Sequence, residues 1–144
     1  MVGTIAVGTD GSDTAAKAVD FAIEMAEKYG AKLVVISSYS PVPEDRLRKE
    51  QSDAPEDIAW SINPMEDVEA NLREVEEKAT ARGVKTVSDA RQGHPADVLC
   101  EIAEEQGADV LVVGSKGMHR RVLGSVPNTV SHKAPCSVLI VKTT

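Results

Sequence analysis

Gly107-Ala108-Asp109-Val110-Leu111-Val112-Val113-Gly114-Ser115 runs from one glycine through a short polar step into four apolar residues and on to a second glycine. A glycine just past a helix supplies the left-handed conformation that ends it, and a strand can begin at once. The pattern recurs: Gly30-Ala31-Lys32 leads into Leu33-Val34-Val35-Ile36, and Gly83-Val84-Lys85 into Thr86-Val87. Thr4-Ile5-Ala6-Val7 near the start and Ser137-Val138-Leu139-Ile140-Val141 near the end complete five expected strands. Runs that are apolar throughout, rather than alternating, predict strands buried on both faces, as in a parallel sheet.

Between these runs the apolar period changes to that of a helix. Ala15, Val19, Ala22, Ile23 and Ala26 share a face after Ser12, a residue suited to capping. Met65, Val68, Leu72, Val75 and Ala79 step by three and four, while Glu66, Glu69, Glu74 and Glu76 are assigned to water. Asn63, Pro64 and Glu66 form a start signal for that helix. A third stripe, Val98, Leu99, Ile102 and Ala103, follows His94-Pro95, and a fourth helix opens at Gly124 or Ser125 with Pro127 in its first turn. The order β-α-β-α-β-α-β-α-β predicts an α/β domain over 1–144: right-handed crossovers and an open sheet covered on both faces. One stretch, 40–63, breaks the rhythm with Pro41, Pro43, Pro55 and a charge cluster, and is expected to be a flexible loop acting as a flap.

Charge is unevenly distributed. Of 23 acidic and 16 basic side chains, every acid falls within residues 1–109; beyond Asp109 come only the cations Lys116, Arg120, Arg121, Lys133 and Lys142. An acidic body with one basic segment argues against nucleic-acid or membrane binding, which needs broad positive surface, and leaves room for a small anion held locally. Cys100 and Cys136 have neither CxxC nor metal-ligand spacing and read as reduced, buried thiols. With no secretory leader at the start and no apolar run approaching about 20 residues, a soluble, cytoplasmic protein is expected. No metal site is expected, since no Cys, His or carboxylate cluster has ligand spacing.

In an open α/β sheet, ligands bind beyond the carboxyl ends of the strands. The segments that follow the strands are Gly8 to Ser12, Ser37-Ser38-Tyr39, Arg91-Gln92-Gly93-His94, and Gly114 to Ser125. The last is the richest. Gly114, Gly117 and Gly124 let backbone amides approach an anion, and Gly124-Ser125 opens a helix whose dipole favours negative charge. Lys116, His119, Arg120 and Arg121 share that loop. Neither GxxxxGK[ST] nor a GxGxxG after the first strand is present, which excludes the P-loop and dinucleotide signatures.

Taken together, several segments resemble the universal stress protein family over nearly the whole chain outside 40–63. They are Thr9-Asp10-Gly11-Ser12, the stretch 107–115, Gly117, Leu123-Gly124-Ser125-Val126, and Ala134-Pro135-Cys136 through Val141. The resemblance implies a flavodoxin-like, Rossmann-like five-stranded parallel sheet of order 3-2-1-4-5. It also implies a homodimer paired through the last strand, 136–142. Many members bind an adenine nucleotide between strands 1 and 4. Carried over by position, Thr9 and Asp10 lie beside the adenosine, with Ser38 contributing backbone. Val113 and Gly114 line the ribose, while Lys116, Gly117, Gly124, Ser125 and Val126 hold phosphate. The family motif is G-x2-G-x9-G-[S/T]; here six residues, 118–123, separate Gly117 from Gly124. A shorter loop is expected to suit AMP or cyclic AMP better than ATP, with magnesium relevant only to ATP. A bulkier residue at Gly114 is expected to block the ligand while leaving the fold intact.

The resulting expectation is a nucleotide-binding regulatory protein rather than an enzyme. A slow ATP hydrolase is the second reading. The third is a phospho-accepting receiver domain, which needs an acidic pair after strand 1, an Asp after strand 3 and a Lys after strand 5. Only Asp10 fits that pattern clearly, and Arg91-Gln92-Gly93 stands where the acceptor Asp belongs.

Overall fold

Five parallel strands alternate with helices: β1 (Thr4–Gly8), α1 (Asp13–Tyr29), β2 (Lys32–Tyr39), α2 (Met65–Ala81), β3 (Thr86–Gln92), α3 (Pro95–Glu105), β4 (Val110–Gly114), α4 (Ser125–Lys133) and β5 (Ser137–Val141). The computed structural model describes residues 1–39, 65–115 and 124–143. The expected flap at 40–63, the Asn63-Pro64 helix start, and Lys116, Gly117, His119, Arg120 and Arg121 lie outside the described residues.

Strand order is β3-β2-β1-β4-β5. Burial explains the order. The three strands in the middle are unbroken apolar runs, with Ile5 opposite Leu33 and Val110, and Val7 opposite Val35 and Val112; β5 is apolar too but lies at an edge and is only half-buried. Each fully buried Val, Leu or Ile contributes about 1.5–3 kcal/mol, so a strand apolar on both faces is favoured where helices cover both. Side chains alternate between the faces. Ile5, Val7, Leu33, Val35 and Val112 meet α1 and α2 through Ala18, Val19, Ile23, Leu72 and Val75. Ala6, Val34, Ile36, Leu111 and Val113 meet α3 and α4 through Leu99, Ile102, Val126 and Val130.

Helix ends follow the local chemistry. The Ser12 hydroxyl accepts from Ala15 N at 3.1 Å, capping α1, and Gly30 closes it at φ 64°. Pro95 occupies the first turn of α3, where its missing N–H costs nothing. Met65, assigned to the apolar stripe of α2, is 49% exposed, whereas Val68, Leu72, Val75 and Ala79 are buried. It is the first residue of the helix, one turn ahead of the buried stripe.

Strand β3 is longer than its apolar run. Pairing with β2 continues from Leu33 opposite Thr86 to Tyr39 opposite Gln92, which moves Arg91 and Gln92 from the expected post-strand loop into the strand. Polar residues are tolerated because β3 is an edge strand. Arg91 reaches α3, donating from Nη1 to Glu101 Oε1 at 2.8 Å and from Nη2 to Glu105 Oε1 at 2.8 Å, and it also pairs with Asp89. That arginine holds the Glu105 carboxyl below its ordinary range. At the opposite end of the sheet, Asp109 Oδ2 accepts from Gly3 N at 2.8 Å and Thr4 N at 3.0 Å, fastening β4 to the start of β1.

Candidate functional site

The direction in which strands are added across the sheet reverses between β1, whose crossover leads to β2, and β4, whose crossover leads to β5. Carboxyl ends of adjacent strands diverge at such a point and leave a crevice, the usual ligand position in this architecture.

On the β1 side, Thr9 N donates to Ile36 O at 3.0 Å, extending the pairing with β2 one residue past the strand. Ser37 Oγ donates to Thr9 O in a short hydrogen bond. The chain then turns at Gly11, where φ is 82°, a conformation that favours glycine. Asp10 Oδ1 accepts from Ser12 N at 3.0 Å and from Ser12 Oγ at 2.6 Å. The Ser12 proton is thereby committed to Asp10, and its lone pairs face Ala15 N. Asp10 therefore orients the cap of α1 and sits where the helix dipole favours negative charge.

The predicted site residues divide between the two faces of the sheet. Ser38 lies on the face of Val34 and Ile36, and Val113 and Val126 belong to the same cluster against α3 and α4. Thr9 faces the other way. Its hydroxyl accepts from Gly11 N at 3.1 Å and donates to Asn71 Oδ1 of α2 at 3.5 Å. It borders a cleft of about 170 Å³ lined also by Ser12, Asn71, Glu74 and Lys78 on the α1/α2 face. Asn71 was missed by sequence reading, although a signal exists: it lies three residues after Val68 and four before Val75, a polar residue within an apolar stripe.

Ser38 has an unusual environment. It is 1% exposed, and its Oγ has no hydrogen-bond partner among the described residues. A buried hydroxyl without a partner costs about 1–3 kcal/mol.

On the β4 side, Val113 is buried, and Gly114 ends the strand. The missing side chain of Gly114 points toward α1 and the segment after β5: a Cβ there would lie 3.1 Å from Thr143 Cγ2 and 3.8 Å from Ala18 Cβ. A Cβ at Gly114 therefore meets the Thr143 methyl at close quarters, and Thr143 must give by a few tenths of an ångström to admit it. Gly124 is the N-cap of α4 and accepts from Asn128 N at 3.0 Å, with Ser125 exposed and Val126 and Pro127 buried behind it. Gly124 has φ −61°, so its backbone conformation alone does not demand glycine.

Elsewhere, no group of three His, Cys, Asp or Glu among the described residues could hold a metal ion. No helix among them is long and apolar enough to cross a membrane. Cys100 and Cys136 are free and half-buried rather than fully buried, and desolvation pushes both thiols above their ordinary pKa. The receiver reading loses its geometry. In the receiver-type order 2-1-3-4-5 the third strand adjoins the first, but here β3 is at the edge and β2 separates it from β1.

The model of the universal stress protein family matches residues 1–142. The chain is 39% identical to universal stress protein Rv1636 of Mycobacterium tuberculosis, over 98% of this chain and 97% of that protein. It is 32% identical to universal stress protein YxiE of Bacillus subtilis, over 99% of this chain and the whole of that one. A crystal structure of a universal stress protein in complex with cAMP superposes with a TM-score of 0.75 at 35% identity, covering 99% of this chain and 98% of the other. The chain belongs to the universal stress protein family.

Proposed function

We propose that this protein binds an adenine nucleotide in the crevice between the carboxyl ends of β1 and β4 and acts as a regulatory module rather than an enzyme. The observation that carries the reading is the buried, unpartnered Ser38 hydroxyl at the end of β2, on the same face as Val113 and Val126. The family relative solved with cAMP, similar along its whole length, supports the ligand class.

In this reading Asp10, held by Ser12, is a preorganised acceptor for an amine or hydroxyl of the nucleoside. Ser38 Oγ supplies the donor or acceptor it lacks a partner for, an addition to the backbone role expected from sequence. Val113 provides an apolar wall, and Gly114 begins the loop toward the phosphate. Gly124, Ser125 and Val126 offer the N-terminus of α4 to negative charge, with Lys116 and Gly117 completing the phosphate side. Thr9 borders the nucleoside without donating to it, since its N–H is committed to Ile36 O and its hydroxyl faces Asn71. Magnesium enters only with ATP.

The six-residue spacing between Gly117 and Gly124 favours one phosphate over three. Isothermal titration with cAMP, AMP and ATP tests the ranking. ATP binding tightest by tenfold, about 1.4 kcal/mol, would reverse it, and no binding by any of the three would remove the nucleotide reading itself.

The second part of the proposal is a homodimer through β5. That strand is the outer edge of the sheet, and Val138, Leu139, Ile140 and Val141 are each only half-buried in the single chain. Antiparallel pairing with a second copy satisfies the outer ladder and covers those side chains.

A further inference from the structure

The pairing of β4 with β5 is complete where Gly114 faces Val141, yet the contacts between the two segments continue. Ser115 is fully buried, and its N donates to Val141 O at 2.9 Å. Thr143, 2% exposed, donates from its N to Ser115 Oγ at 3.0 Å, and the two hydroxyls lie 3.5 Å apart. The Thr143 carbonyl accepts from Lys17 Nζ of α1 at 3.3 Å. Its methyl lies close against the space that the absent Cβ of Gly114 leaves open, 3.1 Å from where that Cβ would be. Three parts of the molecule, α1, the end of β4 and the segment after β5, thus converge on Gly114 and Ser115.

We propose that Thr143 is a positioning residue: the segment following β5 latches onto Ser115 and fixes the direction in which the chain leaves β4, the wall of the crevice opposite Asp10. Buried hydrogen bonds in a low dielectric are costly to leave unmade, so the latch holds Gly114 and Ser115 in one arrangement. A wall already ordered spares a ligand the entropy of ordering it. The latch also ties that wall to the edge strand, so anything that orders β5 orders the crevice. The effect on ligand affinity rests on the nucleotide-binding reading; the latch itself does not.

Two comparisons test it. In the ligand-free protein, Ser115→Ala removes the acceptor for Thr143 N. Amide exchange at Thr143 and at position 115 is expected to rise about tenfold while Val112 and Leu139 stay protected; unchanged exchange at both overturns the latch. In cAMP titrations, Gly114→Ala is expected to weaken binding about tenfold, and adding Thr143→Ser, which deletes the obstructing methyl, to restore it to within about twofold. A double variant no better than Gly114→Ala shows that position 114 acts on the ligand directly and overturns the positioning role. If the unmodified protein binds no cAMP, AMP or ATP, the nucleotide reading fails, and the exchange comparison decides the latch alone.

Discussion

Two side chains, Ser38 and Asp109, show how the same sheet can leave one polar group waiting and satisfy another completely. Ser38→Ala removes a hydroxyl that stabilises nothing among the described residues. Thermal unfolding should therefore move little or upward, while cAMP affinity falls severalfold. A marked loss of thermal stability with unchanged affinity would assign Ser38 to the fold instead. Asp109 is the reverse case. The backbone N–H of Gly3 and then that of Thr4 hold its carboxyl below the ordinary range, so the charged form is favoured in the folded state. Its stabilisation is fully present above the unfolded pKa, near 4, and is lost as pH falls through the depressed folded value. Asp109→Ala should accordingly lower the urea midpoint at pH 7, and the gap from the unmodified protein should narrow in acid. A gap that widens below pH 4 would contradict that assignment. Neither role is visible in a string of letters. Asp109 reads as a turn residue, and Ser38 as one of two serines that differ only in which face they meet.

Helix α1 is the element on which fold and site depend together. Its cap was legible because Ser12 precedes an apolar stripe of regular period, and its end because Gly30 follows. What could not be read is that the cap is itself oriented by Asp10. Ser12→Ala should cost about 1 kcal/mol in chemical denaturation through the cap alone, and should also loosen Asp10 and weaken cAMP binding. Loss of stability without loss of affinity would separate the carboxylate from the ligand. Strand β3 marks the opposite limit of local reading. Thr86 and Val87 were recognisable, but Ser88 through Gln92 have no apolar pattern, and only the partner ladder of β2 holds them extended. The stripe of α2 was readable except at its margins, where Met65 is exposed and Asn71 turns inward toward Thr9.

For the molecule as a whole, the proposed dimer yields a mass prediction. Light scattering should report twice the 15.3 kDa of the chain. Ile140→Glu, which sets like charges against each other across a self-paired edge, should halve that mass with the helical circular dichroism retained. A monomer in the unmodified protein would leave β5 without this partner. The charge pattern also gains meaning at this scale. The absence of acids after Asp109 covers the approach to α4 and the whole of β5, where a carboxylate would oppose the proposed phosphate or burden the proposed dimer edge.

By itself the sequence determined the alternation of strands and helices among the described residues, save the outer half of β3, because apolar period and glycine stops are local signals written in consecutive residues. It also marked Asp10, Val113, Gly114 and Gly124 as strand-end or helix-start positions. Only the tertiary structure decided which face each side chain meets, since a single step along a strand exchanges one face for the other. That separated Ser38 from Ser37 and turned the Thr9 hydroxyl toward Asn71. It also brought Thr143 onto Ser115, 28 residues away in the chain. Contacts of that kind depend on which strands become neighbours, and strand order is set by the burial of the whole sheet rather than by any segment of it.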